Sequence, residues 1–562
     1  MIKAAILDGY IDEPTCLGVP PYISPYPRYI AGAILDNNPK NIVDYHTIDQ
    51  IRNSQTILKK INNYNLVITI AGSSVPGKYL SGYPASPNEI TKIMSYLKTP
   101  VKILCGPAAR YGFGQFGGKK TRKIDTKNFF DFIVKSDCEI FISNFLEEKI
   151  NPDICRKNSE SIKTYAEKGA KIVKKHPFFP DYLICEIETY RGCPRNIVGG
   201  CSFCSEPLKG SPDFRPVNDI VGEIKKLYES GVRNFRLGNQ PCFFSYKAHD
   251  ATKKEFPRPN PAAIEELLRK IRSAAPKLRT LHIDNANPGV IARYPEESKK
   301  IAETIIEYHT PGDVAAFGVE SVDPKVIKEN NLKASEKQVY SAIKILNEVG
   351  RKKGYNGMPE LLPGLNFVFG LKGETKKTFD LNYNFLKKIV KNDLLVRRIN
   401  LRQIIPIPGT RMEDVGNKLV LKHKKNFKHF KYKVKTNIMQ VLLKKMLPEK
   451  TILREVYTEK HDGKLTLARQ IGSYPLLVGI PGRYDLGQFL DVKIVDYGFR
   501  SITGIPYPFD INNTQRETLT AIPGLGKKRA IKILANRPFK NKKELFSIFE
   551  DKEFKKTFQE YL

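Results

Sequence analysis

The chain has 562 residues, of which 41% are hydrophobic and 27% are charged, an ordinary balance for a globular protein. The sequence contains no run of eighteen apolar residues, and residues 1–8 read as a core strand, so we expect neither a transmembrane helix nor a signal peptide. The length predicts three or four domains. An odd number of cysteines, nine, suits a reducing compartment, and we expect a cytoplasmic protein.

The net charge is strongly positive. Lys and Arg number 93 against 59 Asp and Glu, which gives +34 and a pI near 9.6. Such a balance favours a polyanionic partner, most often nucleic acid. The absence of Trp and the heavy use of Lys and Ile also fit a lysine-rich proteome. Charge alone therefore leaves both explanations open.

Strand and helix signals alternate over residues 1–150. A helical pattern covers residues 87–97. Short apolar runs between polar or glycine-rich turns predict strands at residues 4–7, 66–70, 101–104 and 140–142. This alternation predicts a Rossmann-like α/β domain with a parallel sheet.

Ligands of such sheets bind at the carboxyl ends of the strands. The predicted strand ends carry Asp8, Ser73 and Ser74, and Cys105. Cys16 and Cys138 can converge with Cys105 in principle, although buried, inert thiols are the alternative for all three.

A lysine-rich helical linker is predicted over residues 151–181, and it ends in a proline-rich stretch. Strand–helix units then repeat over residues 182–410 and predict a partial (β/α)6 barrel. Its strands are expected at residues 183–189, 234–237, 278–282, 315–321, 365–369 and 399–402.

Three cysteines, Cys193, Cys201 and Cys204, lie within twelve residues directly after the first barrel strand. That position is the C-terminal face of the barrel, where such folds carry out chemistry. Three thiolates suit an iron–sulfur cluster with one unligated iron. A closed zinc site needs a fourth ligand, and the nearest candidates are Cys185, Cys242 and His176.

This loop resembles the cluster loop of the radical S-adenosylmethionine (SAM) superfamily. The shared features are Arg-Gly-Cys-Pro at residues 191–194, the Cys-X-X-Cys pair and the aromatic Phe203 before Cys204. Seven residues separate Cys193 from Cys201, where the superfamily usually has three, and Gly199 with Gly200 can fold this insert into a turn. The resemblance implies a [4Fe-4S] cluster that reductively cleaves SAM to methionine and a 5′-deoxyadenosyl radical.

Other strand ends resemble SAM-contacting turns of the same superfamily. They include Gly-Val-Glu-Ser at residues 318–321 and a Gly-X-X-Gly-Glu-Thr turn at residues 370–375. Glu374 opens a helix, whose dipole favours an acid at that end, so we expect a structural role for it. The glycine turn at residue 238 also fits a purely geometric role. The resemblance implies cofactor-binding roles for Phe203, Gly238, Asn239, Gln240, Glu320, Ser321, Gly370 and Arg402.

The N-terminal domain resembles those of cobalamin-binding radical SAM enzymes and of methylthiotransferases. The cobalamin-ligating Asp-X-His-X-X-Gly pattern is absent, since His46 is the only histidine before His176. Methylthiotransferases carry three cysteines for a second cluster, of which Cys105 alone occupies an expected position. Cobalamin or a second cluster therefore has no support from the residues.

Residues 411–450 form a predicted basic helical connector. Phe427, Phe430 and Tyr432 are interleaved with lysines, which suits a surface that grips a nucleic-acid backbone and stacks bases, or else a solvated helix face. Residues 451–510 have short β signals punctuated by glycines, which predict a small β-barrel. The runs at residues 487–494 and 501–504 resemble the RNA-binding TRAM module of methylthiotransferases, and a docking unit is the alternative for such a small barrel.

Residues 511–562 resemble a helix–hairpin–helix. Gly524 and Gly526 would expose backbone N–H groups to a phosphate at the start of the second helix. Lys527, Lys528 and Arg529 would add positive charge. Such contacts grip a backbone without reading bases, and a protein–protein role is the alternative.

Three functions follow from these patterns. The first is a radical SAM enzyme that modifies RNA, tRNA or rRNA, with an electron donor as partner and no membrane partner. The second is a radical SAM enzyme acting on a protein or small molecule. The third is a non-catalytic, zinc-containing nucleic-acid binder. RNA fits better than DNA, and the reaction outcome stays open between methylation, methylthiolation and other chemistries.

Overall fold

The computed structural model describes residues 1–13, 15–72, 79–114, 117–121 and 128–562. The predicted strand-end residues Ser73 and Ser74 lie outside these ranges. The N-terminal elements are β1 (Lys3–Asp8), β2 (Tyr22–Ile23), α1 (Pro25–Asn37), β3 (Ile42–Thr47), α2 (Ile48–Asn53), α3 (Gln55–Ile61), β4 (Leu66–Ile70), α4 (Pro87–Tyr96), β5 (Val101–Cys105), α5 (Pro107–Tyr111), β6 (Phe132–Ile133) and α6 (Cys138–Phe145).

Five of these strands form a parallel sheet in the order β3-β1-β4-β5-β6. The predicted Rossmann-like sheet is confirmed. The strand predicted at residues 140–142 is wrong, because this run lies inside α6. Cys138, Phe141 and Ile142 are buried there at helical spacing, with Phe145 packed on the same face, so a period of 3.6 fits this run better than a short strand.

Helical turns at Ser159–Ile162 and Gly169–Lys175 flank α7 (Lys163–Lys168) in the linker. The central elements are β7 (Ile184–Glu188), β8 (Tyr190–Arg191), β9 (Asp213–Phe214), α8 (Val217–Glu229), β10 (Asn234–Gly238), α9 (Pro261–Ala274), β11 (Thr280–Ile283), β12 (Asn285–Ala286), α10 (Pro288–Arg293), α11 (Pro295–Tyr308), β13 (Asp313–Glu320), α12 (Pro324–Glu329), α13 (Glu336–Gly350), β14 (Leu361–Phe369), α14 (Lys376–Lys391) and β15 (Arg398–Gln403).

The central strands form two parallel sheets, β11-β10-β7-β2 and β12-β13-β14-β15. Only Asp284 separates β11 from β12, so the two sheets continue into one open barrel. The predicted partial (β/α)6 barrel is confirmed, with β2 of the N-terminal region added beside β7. Buried ion pairs of Glu223 with Arg28 and Arg215, at 2.8 and 2.7 Å, tie α1 to this barrel.

The C-terminal elements are α15 (Met412–Val415), α16 (Lys418–Lys422), α17 (Lys424–Val434), a π-helical turn (Lys435–Met439), α18 (Gln440–Met446), β16 (Ile452–Asp462), β17 (Leu465–Gln470), β18 (Leu477–Pro481), β19 (Phe489–Tyr497), β20 (Ser501–Tyr507), α19 (Arg516–Ala521), α20 (Gly526–Ala535), α21 (Lys542–Ser547) and α22 (Lys552–Gln559). The five strands close into a barrel in the order β16-β17-β18-β20-β19, which confirms the predicted small β-barrel.

The loop between β17 and β18 docks the small barrel onto the parallel one. The Gly472 carbonyl accepts from the Tyr22 hydroxyl at 2.8 Å, and the Ser473 N–H donates to His282 Nδ1 at 2.8 Å. The Tyr474 hydroxyl donates to Asp284 at 2.9 Å. Across the described ranges, no helix combines the length and the apolar character needed to cross a membrane.

Candidate functional site

The three cysteines lie on a loop that follows β7 and β8. Gly192 has φ of 81°, and a side chain there would collide with the backbone of Gly210 and Ser211, so a glycine is required before Cys193. The insert forms a helical turn at Pro194–Val198 and ends in two left-handed residues, Gly199 and Gly200, with φ of 70° and 60°. The turn predicted at these glycines is thus observed.

Side chains from neighbouring elements hold the insert in place. The Asn331 amide donates to the carbonyls of Val198 and Gly200 at 3.0 and 2.9 Å. Arg411 donates to the same Gly200 carbonyl at 2.6 Å. In addition, the Ser202 hydroxyl donates to the Asn330 side chain at 2.8 Å. The asparagines that follow α12 therefore serve to fix the cysteine loop.

Cys193, Cys201 and Cys204 line one cavity. Burial raises the pKa of the Cys193 thiol to about 12, and burial also raises the pKa of the Cys204 thiol well above its ordinary value. Within the described residues, no three His, Cys, Asp or Glu side chains are arranged to hold a single metal ion. Because burial disfavours the thiolate form, ligation through these sulfurs needs neighbouring positive charge.

Two cations stand beside the cysteines. Arg195 Nη1 donates to Cys201 Sγ at 3.0 Å, while its Nε donates to Glu255 at 2.8 Å. Lys333 lines the same cavity, with its Nζ 3.8 Å from Glu320 Oε1. Neither residue was predicted from the sequence. Arg195 lies within the loop, but nothing in its spacing shows that it contacts a sulfur.

This donor set fits an anionic iron–sulfur cluster. Three thiols from one loop could supply three ligands, and two neighbouring cations could offset the negative charge of the cluster and its thiolates. Cys242 also lines the cavity, but it is buried and its sulfur accepts the Asn287 N–H at 3.2 Å. The three-thiol set leaves one iron of a [4Fe-4S] cluster for a further ligand.

The turn after β10 contacts the N-terminal region. The Asn239 N–H donates to the Thr15 carbonyl at 2.6 Å, and its amide donates to Glu188 at 2.7 Å. Gln240 donates to the Leu237 carbonyl at 3.1 Å, whereas its Oε1 is buried without a hydrogen-bond partner among the described residues. A side chain at Gly238 would overlap Glu186. Asn239 thus has a structural role, and Gln240 keeps one free acceptor.

Glu320 and Arg402 approach each other inside the barrel. Glu320 ends β13 in a left-handed conformation, with φ of 63°. Burial raises its pKa, and the charges of Lys333 and Arg402 oppose that rise. The Ser321 hydroxyl accepts a hydrogen bond from the Asp323 N–H at 3.1 Å, so Ser321 belongs to the turn before α12.

The remaining predicted contacts lie around the ends of β14 and β15. Phe203 packs in an apolar cluster that includes Leu371 and Ile404. Gly370 has φ of 92°, and its N–H donates to Glu374 at 2.7 Å. The structural role expected for Glu374 is confirmed, because its carboxylate closes this turn.

The N-terminal cysteines are buried. Cys138 lies beside Cys105, and burial, followed by this neighbour, raises the pKa of the Cys138 thiol well above its usual range. Cys16 is buried in the same hydrophobic core. A cavity between this domain and the barrel is lined by Tyr111, Glu188 and other residues, with no histidine among the described lining residues.

The predicted helix–hairpin–helix region contains α19 and α20, joined by a short turn in which Gly524 has φ of 77°. Lys527 and Lys528 are exposed at the start of α20, where Gly526 has φ of 59°. Arg529 turns back instead. Its guanidinium donates to the Gly524 carbonyl at 2.5 Å and to Asp551 at 2.7 Å.

The aromatic residues of α17 divide between core and surface. Phe430 is buried and Phe427 is half-buried, each with its ring centroid about 5 Å from that of Phe369. Tyr432 is 66% exposed. Of the three rings considered for base stacking, Tyr432 is therefore the one that is available on the surface.

Comparison with known proteins identifies the family. A model of the radical SAM superfamily matches residues 187–386, which span the cysteine loop and the strands after it. The chain contains a radical SAM superfamily domain. Radical SAM enzymes use a [4Fe-4S] cluster and SAM, and the matching domain confirms the prediction of a SAM-dependent iron–sulfur enzyme.

Several relatives cover much of the chain. An uncharacterized protein of Methanocaldococcus jannaschii is 50% identical over 511 residues, or 89% of this chain and 93% of that protein. The ribosomal protein uS12 methylthiotransferase RimO of Carboxydothermus hydrogenoformans is 25% identical and matches 54% of this chain and 64% of its own length. A tRNA-2-methylthio-N(6)-dimethylallyladenosine synthase of Methylacidiphilum infernorum is 24% identical over 63% of this chain and 71% of its own length.

Among solved structures, the radical SAM methyltransferase TsrM of Kitasatospora setae is 13% identical to this chain, with a TM-score of 0.45. The match covers 73% of this chain and 75% of TsrM.

Proposed function

We propose that Cys193, Cys201 and Cys204 hold a [4Fe-4S] cluster whose fourth iron binds SAM, and that the enzyme modifies tRNA or rRNA. One observation carries the proposal for the cluster: three thiols of one loop, at the carboxyl end of the first barrel strand, line a single cavity with Arg195 and Lys333. When bound, the cluster supplies the electron that splits the SAM sulfonium into methionine and a 5′-deoxyadenosyl radical.

The residues around this cavity position the cofactor and the substrate. Arg195 stabilises the Cys201 thiolate through its hydrogen bond to the sulfur. Glu320, held beside Lys333, accepts a hydrogen bond from the ribose or amino group of SAM, and the Gln240 Oε1 offers a second buried acceptor. Arg402 faces the anionic groups of SAM or substrate. The other predicted contact residues shape the walls and turns around Glu320, Gln240 and Arg402. They are Phe203, Gly238, Asn239, Ser321 and Gly370.

Charge and relatives support an RNA substrate. The net charge of +34 provides the long-range attraction to a polyanion. Lys527 and Lys528 are exposed at the N-terminal end of a ten-residue helix, where backbone N–H groups and the helix dipole favour a phosphate. The Methylacidiphilum relative is named for a tRNA modification. An external electron donor and a cytosolic location complete this proposal.

The RNA proposal is tested by mass spectrometry of tRNA and rRNA nucleosides from a strain that lacks the gene. We expect one modified nucleoside to disappear and to return when the wild-type gene is restored, but not when a Cys204→Ala gene is supplied. Unchanged nucleosides in both tRNA and rRNA would refute an RNA substrate.

A protein substrate is the second candidate, since the Carboxydothermus relative is named as a methylthiotransferase of a ribosomal protein. Peptide mass spectrometry of ribosomal proteins from the same strain separates the two. A peptide mass that changes while all nucleosides stay constant would favour this candidate.

A further inference from the structure

A second cavity lies where the small β-barrel and α18 pack against the start of β15. Arg397 and Arg398 stand at the N-terminal end of β15, and Arg500 comes from the turn between β19 and β20. We call it the arginine cavity. Because the barrel strands are parallel, the start of β15 and the carboxyl end of β7, which leads to the cysteines, lie on opposite faces of the barrel.

The charge of the arginine cavity is not balanced by its walls. Among its described lining residues are three arginines and no Asp or Glu. The Nε atoms of Arg397 and Arg398 are buried and have no hydrogen-bond partner among the described residues. Arg397 Nη2 donates to the Tyr474 carbonyl at 3.2 Å. Partly buried cations without an acidic residue in the described wall are costly, so an anion bound here would recover part of that cost.

The pKa values agree with this geometry. Burial, together with repulsion from Arg398 and Arg500, lowers the pKa of Arg397 to about 10. The pKa of Arg398 also falls to about 10, again chiefly because of burial. Asp12 and Asp284 lie within electrostatic reach of Arg398, and Asp284 already pairs with Arg236.

The rest of the wall is aromatic and apolar. The Arg398 guanidinium lies 3.9 Å from the centre of the Tyr474 ring. Phe499 is 45% exposed at the rim, and Lys435 Nζ lies 5.2 Å from its centroid. The apolar lining residues are Val396, Ile399, Met439, Leu442, Leu443, Met446, Pro475 and Leu476. This combination suits an anion attached to a flat, partly apolar body.

We propose that the arginine cavity binds a nucleotide through its phosphate, with the base against Phe499 and the methionines. Arg397, Arg398 and Arg500 form charge-assisted hydrogen bonds to the phosphate oxygens. The nucleotide comes either from an RNA strand that the exposed lysines of α17 attract or from the free nucleotide pool. The binding chemistry is the same for both sources, so the inference stands apart from the RNA substrate proposed above.

Binding of uridine 5′-monophosphate to the full-length, anaerobically prepared enzyme tests the proposal. Saturating SAM fills the cavity beside the cysteines during the titration. We expect Arg500→Gln and Arg397→Gln each to weaken binding about tenfold, and Arg500→Lys to weaken it less. Arg269→Gln, an exposed change on α9, serves as the matched control and should leave binding unchanged. Arg500 is exposed, so its variants should fold, and a melting temperature checks each protein.

The same variants titrated with a single-stranded RNA oligonucleotide identify the source of the nucleotide. Weaker RNA binding in Arg500→Gln, with a slope of log K against log salt shallower by about 0.7, shows that RNA enters the cavity. Loss of uridine monophosphate binding with unchanged RNA binding shows that a free nucleotide does. If Arg500→Gln and Arg397→Gln bind both uridine monophosphate and RNA as tightly as Arg269→Gln does, the proposal is wrong.

Discussion

Cations cluster at opposite faces of the parallel barrel, and the two clusters differ in how their charge is balanced. Beside the cysteines, Arg195 pairs with Glu255, and Lys333 lies near Glu320. The arginine cavity has no carboxylate among its described lining residues. The cations beside the cysteines each have a carboxylate neighbour that fixes their position, whereas the arginines of the arginine cavity have positive charge available for an anionic ligand.

The comparison also separates two kinds of site. The cysteine face is built from one loop held by Asn330, Asn331 and Arg411, so its geometry is set within the barrel. The arginine cavity is formed jointly by the barrel, α18 and the small β-barrel. Changes at one face should therefore leave the other intact, and the following predictions test this independence.

The largest effect is expected from Cys204→Ala. Loss of one of three thiolates should remove the visible absorbance of the cluster and most of the bound iron. Iron analysis and absorbance after anaerobic reconstitution measure this. Cys155→Ala, which removes an exposed thiol, is the control. Uridine monophosphate should bind the Cys204→Ala protein as it binds the wild type. A variant with its full iron content would contradict the assignment of Cys204 as a ligand.

The next largest effect is expected on the pH dependence of stability, from a substitution at Asp12. This residue interacts electrostatically with arginines near both faces. Burial raises its pKa to about 6, despite Arg402, Arg398 and Arg236, which lower it. The folded state thus takes up the proton first as pH falls, so the free energy of unfolding decreases as pH rises from about 4 to about 6. Asp12→Asn removes this loss. The variant should gain up to about 3 kcal/mol relative to wild type between pH 4 and pH 7.

Denaturant unfolding of both proteins across this pH range measures the difference. Asp462→Asn, a change at an exposed position at the end of β16, controls for the loss of one negative charge. A constant difference between Asp12→Asn and wild type over the range would show that Asp12 is not buried as described.

A smaller effect is expected from Lys333→Met. The substitution leaves the buried Glu320 carboxylate without its nearest cation, and should lower the free energy of unfolding by about 2 kcal/mol. SAM binding should weaken as well, since the Glu320 carboxylate would lose the neighbouring cation beside which it is held. Lys337→Met, on the exposed face of α13, provides the comparison. Equal stability and equal SAM affinity in the two variants would show that Lys333 contributes neither to stability nor to SAM binding.

The smallest effect concerns Arg195→Gln. Without the hydrogen bond from Arg195, the Cys201 sulfur carries more negative charge, so reduction of the cluster becomes harder. We expect the reduction potential to fall by an amount on the order of tens of millivolts, with iron content unchanged. A redox titration followed by electron paramagnetic resonance measures the shift, and Arg269→Gln should show none. A higher potential in Arg195→Gln would contradict the described contact.

Much of the fold could be predicted because its signals are local. The strands that form the barrel are short apolar runs, and the cysteine loop directly follows one of them. The strand predicted at residues 140–142 failed because three apolar residues cannot distinguish a strand from one face of a helix such as α6. Glycines with positive φ at residues 199 and 200 were recognisable from sequence because the insert required a turn.

The side-chain partners of the site were less predictable. Asn331 contacts Val198 and Gly200 across more than 130 positions of sequence, and only the closed barrel brings them together. The arginine cavity joins residues 397 and 500 through packing between two domains, which leaves no pattern in the sequence. Arg529 was predicted to meet a phosphate, yet in the fold its guanidinium binds Asp551.

The central claim is that three sulfurs of one loop hold a redox-active cluster that cleaves SAM. The most direct test combines iron and sulfide analysis with an assay for 5′-deoxyadenosine, on protein reconstituted without oxygen and treated with dithionite and SAM. We predict about four iron and four sulfide per chain and steady formation of 5′-deoxyadenosine. A colourless, iron-free protein that forms none would contradict the account.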